Sequence, residues 1–281
     1  MIGRNVLNSL LIMLLLAPVM ASATAAAPDN AKSDCAQCHP FEVQTYQQSA
    51  MSRAAQTTSF KAQWQNAGHL DTCLDCHAPS NNQGVNCNDC HGESIHLNQA
   101  TMDSNVCARC HDAALENTYR HYRRRPTALS EARCIDCHMR PSPLGVDHYF
   151  RGLDSPDLLA EAVTLRWLIP DTREPTIQLF IKNQTAHAIP GGTSGRALWL
   201  LIKSHRVDWR ALQRFGWLQT EQKLWVDHSL PPGVNRLEFQ IPTATLTREP
   251  PDLALWLQTV PGQLQLDSGS GFWLYREDLS P

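Results

Sequence analysis

The sequence predicts a mixed fold: an N-terminal domain of short helices and loops over 24–153, then a C-terminal antiparallel β-sandwich over 154–281. Three observations place the division. None of the ten cysteines lies beyond Cys137, while seven of the eight tryptophans lie from Trp167 onward. Alternation of apolar and polar residues, the period of a half-buried strand, begins only past Leu153, at Val163, Leu165 and Trp167. The balance of 24 Lys and Arg against 27 Asp and Glu lacks the basic excess of a nucleic-acid binder. With 42% hydrophobic and 18% charged residues, the chain can bury a core.

The first element is a leader. Arg4, the apolar run Leu10–Ala17 and the small residues Ala21–Ala27 have the order of a secretory signal peptide. Cleavage after Ala23 would remove 1–23 and export the remainder to the periplasm. The competing reading, a retained anchor, is disfavoured because the apolar run is short for a span. No later segment is long and apolar enough to cross a membrane.

Next come five short motifs. The cysteines form five pairs, each followed by His: Cys35, Cys38 and His39; Cys73, Cys76 and His77; Cys87, Cys90 and His91; Cys107, Cys110 and His111; Cys134, Cys137 and His138. Cys-x-x-Cys-His is the attachment signature of c-type haem. On one helical turn, cysteines three apart share a face, so both sulfurs reach the vinyl groups of one porphyrin. The following imidazole then meets the iron from one side. A disulfide framework would suit an exported chain but leaves the histidines unexplained. At the chain's own His frequency, five such coincidences have a probability of roughly 10⁻⁷ against the motif. Zinc knuckles need paired units or a distant His pair, and a redox dithiol needs no trailing His. The expectation is five covalently bound haem c groups, with iron held by the five motif histidines.

Five macrocycles also account for the poverty of aliphatic runs between Cys35 and Phe150. A haem is a large apolar plate, so a haem-dominated domain replaces side-chain core with stacked cofactor. The motif starts are 38, 14, 20 and 27 residues apart. The shortest step, Cys73 to Cys87, predicts that the second and third haems are close neighbours.

Several units resemble the periplasmic multihaem c-type cytochromes related to the tetrahaem electron carrier of ammonia oxidisers. The resemblance covers Cys35 to Asp157, with one further motif near His187. GVNCNDCHGESIH (Gly84–His96) is similar to a family unit whose later His is a distal ligand, which implies His96. CIDCHMRP followed by DHYFRG resembles the last-haem unit and implies His148. CAQCHPFEVQTYQQSAMSRA resembles the first-haem unit and puts Met51 at a ligand position. NQTAHAIPGG resembles a turn that closes over a haem and implies His187, although Gly191-Gly192 replaces the family's Thr-Gly. His121, ten residues after His111, is proposed as a ligand from position and supply. His69 is the reserve, while His205 and His228 lie among alternating strand residues and read as structural.

The second half offers further strands in Ile177, Leu179 and Ile181, in RALWLLI, KLWV, LALWL and GFWLY, and in Leu237, Phe239 and Ile241. Pro231-Pro232-Gly233, Pro250-Pro251 and Pro261-Gly262 punctuate them. Eight or nine short strands suggest a sandwich. No catalytic cluster is evident in it, so it reads as a docking module or lid that lends His187. Arg120–Arg125 (RHYRRR) is the one charge cluster, suited to haem propionates or to an acidic redox partner.

The expected function is one-electron transfer between redox partner proteins, with potentials set by axial ligands and burial; no catalytic residue is required. The rival is a multihaem reductase or oxidase of a small nitrogen or sulfur oxide, which needs one open iron and nearby acid or cationic groups. A third reading, a subunit of an outer-membrane conduit, differs only in partners.

Overall fold

The computed structural model describes residues 32–80, 83–92, 103–113, 116–153, 155–169, 176–193, 195–204, 207–240 and 251–276. The expected leader, His96 and His205 lie outside the described residues. Nine short α-helices and eleven strands are present among those described. No helix among them is long and apolar enough to cross a membrane.

The helices are α1 (Lys32–Cys38), α2 (Pro40–Gln48), α3 (Thr58–Asn66), α4 (Leu74–His77), α5 (Cys87–His91), α6 (Ser104–His111), α7 (Thr118–Arg123), α8 (Cys134–His138) and α9 (Pro156–Ala162). Each Cys-x-x-Cys-His motif lies on or ends a helical turn. An Asp inside the motif helps in two cases. Before α5, Asp89 accepts from the Asn86 amide at 2.6 Å while Asn86 accepts from the Asp89 amide at 3.1 Å. Before α8, Asp136 accepts from the Arg133 amide at 2.9 Å. Both satisfy amides that a helix start leaves unpaired. Three-residue 3₁₀ turns at Met51–Arg53, Asp71–Cys73 and Thr127–Leu129 bend the chain between them.

A two-residue hairpin, β1 (Pro141–Ser142) with β2 (Gly145–Val146), follows α8. Nine further strands run from Val163 to Arg276: β3 (Val163–Leu168), β4 (Thr176–Asn183), β5 (Ala197–Ser204), β6 (Val207–Phe215), β7 (Trp217–Gln219), β8 (Trp225–Asp227), β9 (Gly233–Gln240), β10 (Asp252–Gln258) and β11 (Gly271–Arg276). All pairings are antiparallel. One sheet has the order β11-β10-β5-β6, another β3-β4-β9, and β7 pairs with β8 alone. The inward residues of the first two meet in one cluster that includes Leu165, Ile177, Leu179, Ile181, Leu200 and Leu255. Strands β5 and β10 are central and buried on both faces, which is why they read as apolar runs and not as alternation.

The two halves differ in core. Among the described residues three apolar side chains are buried before residue 163 (Val43, Phe60 and Ala78), against twenty-one from Val163 onward. Short helices with so few buried side chains cannot offset the entropy of ordering their chain. The first half therefore needs something other than its own side chains at its centre.

Candidate haem ligands and their partners

The motif cysteines cluster in space, and no disulfide joins any of the ten. Sulfurs of different motifs come within hydrogen-bond reach in three places: Cys35 with Cys87, Cys76 with Cys110, and Cys107 with Cys134. Cys90 lies within electrostatic reach of both Cys107 and Cys110. The first motif thus neighbours the third, and the fourth neighbours the second, third and fifth. Helix α6 carries the fourth motif and packs against both α4 and α8. Chain adjacency does not govern this order: the second motif's sulfur contact is with the fourth, 34 positions on, and not with the third, 14 residues on. As free thiols, Cys107 and Cys134 share one hydrogen bond. It pushes Cys107 up and, with Ser104 and His138 also acting on it, pulls Cys134 down to about 6. Thioether bonds would remove both titrations.

The imidazoles carry the decisive geometry. His91 and His148 face each other with ring centres 6.2 Å apart and planes 29° from parallel. His138 and His187 do the same at 6.3 Å and 20°. Direct ring contact is closer: Phe60 lies 4.0 Å from the His77 ring. Metal–imidazole bonds of about 2 Å, with about 1 Å more from nitrogen to ring centre, set two ligands of one metal roughly 6 Å apart. The two facing pairs match that gap.

Backbone carbonyls fix the tautomers. Nδ1 of His148 donates to the Val146 carbonyl at 2.9 Å, and Nδ1 of His187 to that of Ala188 at 2.9 Å. Nδ1 of His138 donates to the Arg151 carbonyl, and that of His77 to Ala54 at 3.2 Å. With Nδ1 so engaged, Nε2 is the nitrogen left to bind metal. Burial pushes the His77 and His91 pKa values down, and that of His187 to about 4. These rings stay neutral at neutral pH, the form that ligates.

The remaining sequence-expected ligands fall elsewhere. His121 lies on α7, but its Nε2 bonds Asp227 Oδ2 at 2.7 Å. Asp227 also accepts from Asn117 at 2.7 Å and from the Ser229 amide at 2.9 Å. Although burial works to raise the Asp227 carboxyl, these donors hold it well below the usual carboxylate range. His121 thus stands in a polar clasp joining the helical half to the end of β8. Met51 is half-buried, and its carbonyl accepts from the Val85 amide at 3.0 Å. This explains Gly84: a Cβ there would stand 2.4 Å from the Met51 carbonyl oxygen. His39 is exposed at the start of α2. His69 is exposed, with its ring edge-on to Trp64 at 4.8 Å, and the His228 amide bonds the Gly216 carbonyl at 3.0 Å. In the basic cluster, Arg123 pairs with Asp112 at 3.2 Å, and Arg125 covers the Tyr122 ring at 3.9 Å. Arg120 and Arg124 have no ion pair among the described residues.

Two side chains at this junction escaped sequence reasoning: Asp227, 106 positions from its partner, and Glu116, whose Oε1 lies 3.6 Å from His111 Nδ1. The signal for Glu116 was present, an acid five residues after a motif His. For Asp227 there was none.

No protein-family model and no curated protein matches the chain. Among solved structures it is similar to a penta-heme cytochrome c552 from Thermochromatium tepidum. The TM-score is 0.65 at 17% identity, over 86% of this chain and 96% of that one. The likeness spans both the motif-bearing half and the sheets, and it shows that this chain has the fold of that cytochrome.

Proposed function

We propose that the protein is a periplasmic pentahaem c-type cytochrome that passes electrons between redox partner proteins. The observation that carries this is the pair of facing imidazoles, His91 with His148 and His138 with His187, each spaced for one iron. Each pair contains one motif His and one His outside the motifs. The ten motif cysteines hold five haems as thioethers, and His39, His77, His91, His111 and His138 supply one axial ligand each. Kinship with the carriers of ammonia oxidisers rests on the motif units alone. The first 23 residues act as the export signal, and 154–281 form a sandwich that covers the haem unit.

When bound, the haems supply one-electron ferric–ferrous chemistry. The chain's own part is to place them, fix the ligand tautomers and set burial. His148 serves the third haem and His187 the fifth, so the sheet-bearing half lends a ligand to the helical half. His96 and Met51 remain the ligands proposed for other irons, and His121 serves the clasp. Haem neighbours run first, third, fourth, with the second and fifth both reached from the fourth. Cys38 and Cys137 are the exposed cysteines, so the first and fifth haems are the ends that meet partners.

A second reading draws on the His121–Asp227 bond. With His121 engaged, one iron lacks an evident second ligand, and an open iron would support reduction or oxidation of a small nitrogen or sulfur oxide. Intact mass tests the five haems. EPR of the oxidised protein, with cyanide or nitric oxide added, separates the two functions. Low-spin signals indifferent to the probes mean a carrier; a high-spin signal that responds to them means an enzyme.

A further inference from the structure

Glu116 is a buried carboxylate, 8% exposed, in the segment that follows the fourth motif. Its Oε1 lies 3.6 Å from His111 Nδ1. That is a charge contact, slightly longer than a hydrogen bond. Thr118 holds the carboxylate in place: its amide donates to Oε2 at 3.2 Å, and its hydroxyl donates to Oε1. The next residue, Asn117, bonds Asp227 at 2.7 Å and Ser229 at 3.1 Å, so the segment is pinned from both sides. The other ligand histidines whose Nδ1 partners are described (His77, His138, His148 and His187) face neutral carbonyls. Among them His111 is the one whose Nδ1 has a carboxylate at contact distance, while His187 lies within the longer electrostatic reach of the same Glu116.

A ferric haem becomes ferrous by accepting one electron from its donor. A fixed anion next to the axial imidazole opposes that gain, and it makes the imidazole a stronger donor to the ferric iron. In a partly dry site the opposition is stronger than in water. Arg196 stands near enough to offset part of this charge, but its guanidinium donates to the Gly191 carbonyl at 3.0 Å and makes no ion pair with Glu116.

We propose that Glu116 is a positioning residue that lowers the reduction potential of the fourth haem, the junction at which the haem chain branches. The proposal rests on reading His111 as that haem's ligand. Electrons passing through the fourth haem then meet a less favourable stop than they would without this charge, at the point where the route divides.

The test is an optical redox titration of the full haem-loaded protein against Glu116→Gln. The expected result is five haems by mass in both, one midpoint potential raised most in the variant, a smaller rise at the haem that His187 serves, and three unmoved. All five potentials unmoved, with five haems present, would overturn the proposal. Glu116→Asp is the second variant, for the case that Gln impairs haem loading. It keeps the charge but withdraws it by one methylene, so the same potential moves up by less; no movement overturns the proposal. Fewer than five haems in the unmodified protein contradicts the reading it rests on instead.

Discussion

The two halves of this molecule are held together by different means. From Val163 onward, two sheets bury Ile177, Leu179, Ile181, Leu200 and Leu255 against each other, and the chain's own apolar surface supplies the driving force. Before α9, eight short helices carry the motif cysteines and histidines, with Val43, Phe60 and Ala78 as the only buried apolar side chains among the described residues. The same chain thus contains one region that folds on side chains and one that folds on what its side chains hold. The difference yields expectations that differ in size.

The largest effect is expected from withholding haem. The full chain made without haem attachment should exchange its backbone amides freely up to about residue 162 and stay protected in β4, β5 and β10. Protection of both halves would break the contrast. The next effect lies in the sheets. Leu255→Ala, at a fully buried position, should cost about 2–5 kcal/mol in thermal unfolding. The haem spectrum should not change.

The clasp between the halves comes third. Asp227→Ala leaves His121 without its acceptor and Asn117 with only Ser229, and should cost about 1–3 kcal/mol. Its pH dependence has a defined sign. The carboxyl is held below its ordinary value in the fold, so its contribution is complete above the ordinary carboxylate range. It is lost as pH falls from there toward the lowered folded value. Unfolding of the unmodified protein, compared with Asp227→Ala from pH 7 downward, should show the gap closing in acid. The smallest effect belongs to the exposed Arg236–Glu238 pair on β9, 3.9 Å apart. Arg236→Ala should change stability by no more than about 0.5 kcal/mol.

How much of this was legible in the sequence follows the same division. The motif helices were legible because attachment chemistry demands a fixed local spacing, and their Asp caps lie inside the motif. Strands β3, β4 and β9 were legible from alternation, and β5 and β10 from apolar runs. The small β1–β2 hairpin was not, since two-residue strands leave no period. Among the candidate ligands, His148 and His187 were indicated by resemblance, but which motif each would face was not. That depends on how the chain returns in space: the fourth and fifth motifs meet as sequence neighbours, but the first meets the third and the second meets the fourth. His121 shows the limit most plainly. Its position near a motif suited an iron, yet a carboxylate 106 residues away takes its Nε2. Supply of a residue type says what could ligate; only the fold says what else competes for it.

The central claim is that the sheet-bearing half completes a haem site of the helical half through His187. EPR of the oxidised His187→Ala protein, beside the unmodified one, tests it most directly. The account predicts that one of five irons leaves the low-spin signal and appears as high-spin, with all five haems still attached by mass. An unchanged low-spin spectrum with five haems present would contradict it.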